Sequence, residues 1–256
     1  MTILPGDDTV FVVYRGTDYS LVGWKENFNM CFMDDVPAQL EAATYLTRVA
    51  AAFPDKELRV SGHSKGGNLA VYAAAMCPKE VQDRICVVYN HDGPGFRNTV
   101  LEREGYQNML PRMRTFLPQF SVVGLLLEQH GEGIVIHSNE SGIMQHEPYS
   151  WEMIGADFVK QEGLVEKSYF LDNTMSLWME GLSEAQREHF IDTVYAAVSA
   201  APVDDFGQAL FTPKMIVSTL QALHAEDECT KIISSGFKML FQAVRKTADE
   251  FANRPR

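Results

Sequence analysis

Short runs of β-branched and aromatic residues recur along the first half of the chain, and Ala-rich segments with helical spacing separate the early ones. The strand-like runs are TVFVVYRG (9–16), ELRVSG (57–62), RICVVYN (84–90), MRTFLP (113–118) and GIVIHS (133–138). The helical segments are VPAQLEAATYLTRVAAAF (36–53) and KGGNLAVYAAAMC (65–77). Strands separated by helices predict parallel βαβ units, because a parallel neighbour needs a long crossover connection. The pattern predicts an α/β fold with an open, mostly parallel sheet flanked by helices.

The character of the sequence changes near Glu152, and helical periodicity dominates from there on. The helical segments are LDNTMSLWMEGL (171–182), SEAQREHFIDTVYAAV (183–198), TPKMIVSTLQALHA (212–225) and KIISSGFKMLFQAVRKTADEF (231–251). Ser183, ahead of Glu184 and Gln186, predicts a capped helix start. We expect an α/β core over residues 1–151 and a helical C-terminal region over 152–256, packed on the core as one compact unit.

The composition is that of a folded protein with a well-filled apolar interior: 256 residues, 46% hydrophobic and 22% charged. Acidic residues outnumber basic ones by 34 to 22, which gives a net charge of −12. Such a surface repels nucleic acid and anionic membranes, so we expect neither as a partner.

Location and cofactors are predicted from what the sequence lacks. The N-terminal segment has no positive region followed by a long apolar run, and the apolar run SVVGLLLEQ in mid-chain is too short to span a bilayer. The cysteines form no CxxC pair, which favours reduced thiols over disulfides or a zinc site; they are Cys31, Cys77, Cys86 and Cys229. We expect a soluble cytoplasmic protein without a transmembrane segment, a metal or an organic cofactor.

Ser64 lies in GHSKGG, between a predicted strand and a predicted helix. A nucleophilic serine at such a turn needs small residues two positions before and after it, and Gly62 and Gly66 occupy those positions. The helix that follows would direct its positive end towards a developing oxyanion. The same residues would also suit a glycine-rich turn in which Ser64 only caps the helix.

A serine nucleophile needs a general base, and His146 in a loop beyond the last predicted strand is the preferred candidate. His130 and His137 are the next candidates, whereas His63 is expected to point away. A loop histidine bonded only to its neighbours would explain His146 equally.

The acid that orients the base is predicted from position. Asp92 stands at the carboxyl end of the strand after the Ser64 turn, where it could reach a base on a neighbouring strand. An ordinary Asp-Gly turn would explain it too. Glu147 ranks lower, because residues adjacent in sequence rarely face each other.

An oxyanion hole needs two backbone N–H donors. Lys65, directly after Ser64, is expected to supply one. The second is expected from the loop after the first predicted strand, where Gly16, Thr17 and Asp18 follow one another; Thr17 could add its hydroxyl.

Four ordered motifs carry a family resemblance over nearly the whole chain. The segments FVVYRGTDYSLVGWKENFNM, VSGHSKGGNLA, DGPGF and HEPYSW resemble the Mbeg1-like (DUF2974) family of bacterial α/β-hydrolases, and the first two also resemble class 3 (fungal-type) lipases. The resemblance implies an α/β-hydrolase fold with Ser64 as nucleophile, His146 as base, and Thr17 with Lys65 at the oxyanion hole.

The sequence departs from that pattern in two places. Class 3 lipases carry their acid in a D.VP motif where this sequence has PQFSV, so Asp92 is an inference from position and is not carried over from the family. The chain also begins at the family's third strand region, which implies an N-terminally shortened sheet.

The function expected from these residues is hydrolysis of a carboxylic ester, of a lipid or another small acyl compound, through an acyl-enzyme on Ser64. Acyl transfer to another acceptor uses the same residues. The alternative is a catalytically weak α/β-hydrolase scaffold that binds a ligand or partner protein. The sequence leaves the formation of homo-oligomers open.

Overall fold

The computed structural model describes residues 1–17, 29–30, 32–131, 133–199 and 227–252. The chain divides into two compact units. The first contains Met1–Gly16 and Asp34–Asp172, and the second contains Thr17–Met33 and Asn173–Arg256.

The first unit is built on a six-stranded sheet in which the strands follow one another in chain order. The strands are β1 (Thr2–Ile3), β2 (Thr9–Tyr14), β3 (Glu57–His63), β4 (Ile85–His91), β5 (Met113–Pro118) and β6 (Gly133–Ile136). β1 pairs antiparallel with β2, and every other pair is parallel. The predicted mostly parallel α/β sheet is therefore confirmed.

Five helices of 4 to 16 residues lie between the described strands of the sheet and pack on it. They are α1 (Pro37–Ala52), α2 (Lys65–Met76), α3 (Lys79–Gln82), α4 (Asn98–Leu101) and α5 (Glu104–Met109). α2 is buried from Lys65 to Ala75, and its many small residues let it pack closely on β3 and β4. The core contains the apolar side chains of the central strands and the inner face of α1, among them Val10, Val60, Val88 and Leu46.

The parallel register aligns the carboxyl ends of three strands. Gly62 pairs with Asn90, His63 with His91, and His91 with Phe116. The segments that leave these strands therefore start side by side at one edge of the sheet, which is where open α/β sheets bind ligands.

A small hairpin was not predicted. Strands β7 (Met153–Ile154) and β8 (Asp157–Phe158) pair antiparallel, and Lys160 bridges to Ile136 at the end of β6. The expectation of helices from Glu152 onward is wrong for this stretch, because the first long helix, α6, is Glu166–Glu180.

The C-terminal helices α7 (Glu184–Ser199) and α8 (Asp227–Ala252) pack against each other. Ser183 and Gln186 form the predicted capping box: Ser183 Oγ accepts from Gln186 N at 3.3 Å, and Ser183 N donates to Gln186 Oε1 at 2.8 Å. The helix predicted over 212–225 lies outside the described residues. Among the helices that the structure describes, none combines the length and the apolar character needed to cross a membrane.

Candidate active site

Ser64 occupies a sharp turn between β3 and α2. Its backbone has φ 58° and ψ −132°, a conformation that non-glycine residues rarely adopt. Strain of this kind in a serine between strand and helix is typical of a nucleophile elbow, in which the turn lifts the hydroxyl above the sheet.

The glycines around Ser64 are required by close backbone contacts. A Cβ atom on Gly62 would overlap the carbonyl group of Gly66. A Cβ atom on Gly66 would overlap the carbonyl oxygen of Tyr14 at the end of β2. The turn therefore fits into the sheet only when both positions lack a side chain, which is the steric reason expected from the sequence.

The Ser64 side chain is partly exposed and makes no hydrogen bond to the first turn of α2. It does not cap α2, so the interpretation of Ser64 as a capping residue loses its physical basis. The backbone carbonyl of Ser64 accepts from Gly67 N at 2.8 Å instead.

Asp92 and His146 lie together. His146 Nδ1 donates to Asp92 Oδ2 at 2.7 Å, so the proton of the neutral imidazole is on Nδ1 and Nε2 keeps its lone pair. The Asp92 side chain is 1% exposed and that of His146 is 26% exposed. A buried carboxylate that holds a partly exposed imidazole in this tautomer is the arrangement a general base requires.

Two further residues hold the Asp92 carboxylate. Ser121 Oγ donates to Asp92 Oδ1 at 2.5 Å, and Gly124 N donates to the same oxygen at 3.1 Å. Ser121 belongs to the PQFSV segment after β5, where the class 3 lipase pattern would carry its acid. Sequence reasoning missed this role, because a serine in a loop carries no signal until the fold brings it to Asp92.

The His146 loop is held on both sides. His146 ends a 3₁₀ turn, Gly142–His146. The buried Gln145 accepts from Phe120 N at 2.8 Å and donates to Glu140 O at 3.0 Å. Trp151 Nε1 donates to Gln145 O at 2.8 Å, so the motif QHEPYSW anchors the loop that carries the imidazole.

His63 does not point away from the site, contrary to the sequence-based expectation. Its Nε2 lies 2.7 Å from the backbone oxygen of His146, and the two rings are 4.6 Å apart. Burial lowers the pKa of His63, and the nearby His146 lowers it further. β3 ends one residue later than predicted, so His63 is its last residue.

The other candidates have other partners. His130 Nδ1 lies 3.4 Å from Gln107 Nε2, and His137 Nδ1 lies 2.9 Å from Glu152 Oε2. The Glu147 side chain accepts from Tyr149 N in the following turn. None of these contacts involves Asp92, so among the candidate bases it is His146 that bonds to the carboxylate.

The predicted oxyanion donors belong to two segments. Lys65 is the first residue of α2, and N–H groups in a first helical turn have no acceptor within the helix. Gly16 closely approaches the elbow: a Cβ atom there would be 3.0 Å from His63 O and 3.5 Å from Ser64 Cβ. Thr17 follows Gly16 in the chain and stays a predicted donor, while Asp18 and the motif GWKENF lie outside the described residues.

The motifs GGN and DGPG are joined by a buried amide. Asn68 is fully buried; its Nδ2 donates to Pro94 O at 3.1 Å and to Gly95 O at 2.9 Å. Its Oδ1 accepts from Gln39 Nε2 at 2.8 Å. Asn68 thus fixes the loop after Asp92 against α2, which explains its position in the motif without any part in chemistry.

Within the described ranges, no group of three or more His, Cys, Asp or Glu side chains is arranged to hold a metal ion. Fold and site together define an α/β protein with a mostly parallel sheet, which is compatible with a hydrolase. The chain belongs to the Mbeg1-like family, whose model matches residues 1–196. Comparisons with curated proteins and with solved structures found no match.

Proposed function

We propose that this protein is a serine hydrolase that cleaves a carboxylic ester through an acyl-enzyme on Ser64. The observation that carries the proposal is the hydrogen bond of 2.7 Å between His146 Nδ1 and the buried Asp92 carboxylate, in a fold that holds Ser64 in an elbow conformation. Ser64 and Asp92 follow the aligned carboxyl ends of β3 and β4, and the segment after β5 carries Ser121, which supports Asp92.

In the proposed reaction His146 Nε2 takes the proton of the Ser64 hydroxyl as Oγ attacks the ester carbonyl. The N–H groups of Lys65 and Thr17 stabilise the oxyanion of the tetrahedral intermediate. His146 then gives the proton to the departing alcohol, which leaves an acyl group on Ser64. Asp92 keeps Nδ1 protonated and stabilises the imidazolium while it exists.

Deacylation repeats these steps with water. His146 Nε2 takes a proton from a water molecule, whose oxygen attacks the acyl carbonyl. The second tetrahedral intermediate collapses, His146 returns the proton to Ser64 Oγ, and a carboxylic acid is released.

The substrate class follows from the surroundings of His146. Ile143 and Met144 lie three and two positions before it in the same 3₁₀ turn, with Gln145 in between, and they are 51% and 58% exposed. Exposed apolar side chains next to a reactive group favour an uncharged or lipid-like acyl ester, and the net charge of −12 disfavours anionic substrates. We propose a cytoplasmic location for this reaction.

An active-site-directed fluorophosphonate tests the proposal. The wild-type protein should be labelled at Ser64, and Ser64→Ala should not be labelled. His146→Ala should be labelled at least about 100-fold more slowly than the wild type, as expected when a general base is removed. Mass spectrometry of the labelled peptide identifies the site. A folded wild-type sample that resists labelling would contradict the proposal.

A second candidate function is a binding scaffold without turnover. One observation favours it: Ser64 Oγ has no hydrogen bond to His146 in the described structure. Catalytic hydrogen bonds are often formed only with substrate bound, so the same geometry also fits an enzyme. Labelling at Ser64 together with release of acid from a short acyl ester decides for the enzyme.

A further inference from the structure

His63 contacts the candidate base, His146, in two ways: through its Nε2 atom and through the face of its ring. Its Nε2 lies 2.7 Å from the carbonyl oxygen of His146, and because a carbonyl only accepts, Nε2 carries the proton. The ring also lies against the His146 ring, with centroids 4.6 Å apart and planes inclined at 37°.

The backbone of His63 is part of the sheet where this contact begins. His63 is the last residue of β3 and pairs with His91 on β4. The next residue is Ser64, whose N donates to His91 O at 2.9 Å. The bond from His63 therefore ties the backbone of the base directly to the element that carries the nucleophile.

We infer that His63 is a positioning residue for His146: its Nε2–H bond to the His146 carbonyl sets where the imidazole stands relative to Ser64. Gln145 and Trp151 hold the same loop through hydrogen bonds to the segment after β5 and within its own turn. The Trp151 ring also packs edge-on against His63, with centroids 6.0 Å apart, but the hydrogen bond to the His146 backbone comes from His63. The inference rests on the proposed hydrolase function and adds a residue to it.

The charge state of His63 fits this positioning role. The groups that face it are His146, Asp92, Glu147 and His91. Burial and His146 lower the pKa of His63, so the ring is neutral near neutral pH. A neutral ring donates the bond from Nε2 and does not repel the imidazolium that forms on His146 during the reaction.

Two substitutions separate the bond from the volume of the ring. His63→Phe keeps an aromatic ring but has no donor, whereas His63→Gln keeps an N–H donor at a similar reach. His63→Leu is a second donor-free variant for use if His63→Phe does not fold. His130→Leu is the matched control, because it removes an exposed histidine whose ring contacts Gln107.

The first measurement does not require catalysis. Imidazole NMR of the full chain follows the His146 Nδ1–H proton bonded to Asp92. We expect its signal in the wild type, in His63→Gln and in His130→Leu, and faster exchange or loss of the signal in His63→Phe. An unchanged exchange rate in folded His63→Phe overturns the inference.

The second measurement is the rate of fluorophosphonate labelling at Ser64. His63→Phe should lower the rate about 10- to 100-fold, since a shift of about 1 Å in a reacting group can cost about 100-fold. His63→Gln should recover most of it. If the wild type and His63→Phe are labelled at equal rates, the positioning role is overturned and the hydrolase function stands. If the wild type is not labelled but the NMR signal changes in His63→Phe, the hydrolase function is overturned and the positioning of His146 by His63 stands.

Discussion

At the scale of single residues, the Asp92 carboxylate depends on the donors around it. A buried charge is stable only when hydrogen bonds replace its lost hydration. His146 satisfies one oxygen of Asp92, while Ser121 and Gly124 satisfy the other. The sequence places Asp92 at the right strand end, but its partner in the loop after β5 is visible only in the fold.

Replacing Ser121 by alanine should leave Asp92 Oδ1 with only the Gly124 donor. Because Ser121 and Asp92 are both buried, we expect the free energy of unfolding to fall by about 1–3 kcal/mol. Urea unfolding measures it. Thr44→Ala is the control: its hydroxyl bonds to Leu40 O on an exposed helix face, and the change should stay within about 0.5 kcal/mol. Equal losses in both variants would contradict this account of Asp92.

At the scale of elements, the elbow is the best predicted part of the molecule. Strand, turn and helix were expected at 57–62 and 65–77, and they are found as Glu57–His63 and Lys65–Met76. The strong β-branched pattern and the Ala-rich run both extend over enough residues to be recognised. The glycine positions follow from contacts between backbones, which the spacing in the sequence already implies.

Gly62→Ala should destabilise the first unit by about 3 kcal/mol or more, because its Cβ atom would overlap the backbone of Gly66 and neither side can yield. Gly163→Ala is the matched control, since nothing lies within 4 Å of a Cβ atom there and the glycine has no positive φ. Thermal unfolding of both variants tests the difference. A Gly62→Ala protein as stable as Gly163→Ala would refute the close packing of the turn.

Strands of two residues have no recognisable pattern in the sequence. β1 (Thr2–Ile3) and the hairpin of β7 and β8 are too short to show an alternating pattern. They exist because neighbours supply their partners: Met1 N donates to Val13 O, and His137 N donates to Val159 O. Tertiary contacts, and no local preference, decide such strands.

At the scale of the whole molecule, the register of the sheet assembles the site. Residues 64, 92 and 121 are far apart in the chain, yet each follows a strand whose carboxyl end lies at the same edge. The family match ends at residue 196, within α7, so α8 lies outside the matched residues. The division of the chain at residue 151 stays a prediction, and the first unit continues to Asp172.

Stability should depend on pH through His91. Burial lowers its pKa from 6.5 to about 4, and the nearby His63 adds to the shift. Between pH 6.5 and 4 the unfolded chain binds a proton at His91 that the folded protein does not bind. The stability that depends on a neutral His91 is therefore fully present above pH 6.5 and is lost as the pH falls towards 4. The loss should reach about 3 kcal/mol.

Urea unfolding between pH 4 and 7 measures this dependence. His91→Phe should flatten the curve, because a phenyl ring can pack between Phe116 and Trp151 without titrating. His130→Phe, at an exposed site, should unfold in parallel with the wild type. Parallel curves for His91→Phe and the wild type would show that His91 does not carry the effect.

Local pattern alone was enough for the α/β class, the five longer strands, the helices around the elbow and the capped start of α7. It also placed Ser64, Asp92 and His146 at strand ends or in the loop beyond the sheet, because turn sterics and chain order restrict where such residues can stand. The partners of those residues were decided by the tertiary structure. Ser121 bonds to Asp92, His63 bonds to the backbone of His146, and the histidine that bonds to Asp92 is His146 and neither His130 nor His137. A hydrogen bond between residues 29 to 83 positions apart depends on the strand register and on loop paths. Neither the strand register nor the loop paths can be recognised from the local sequence.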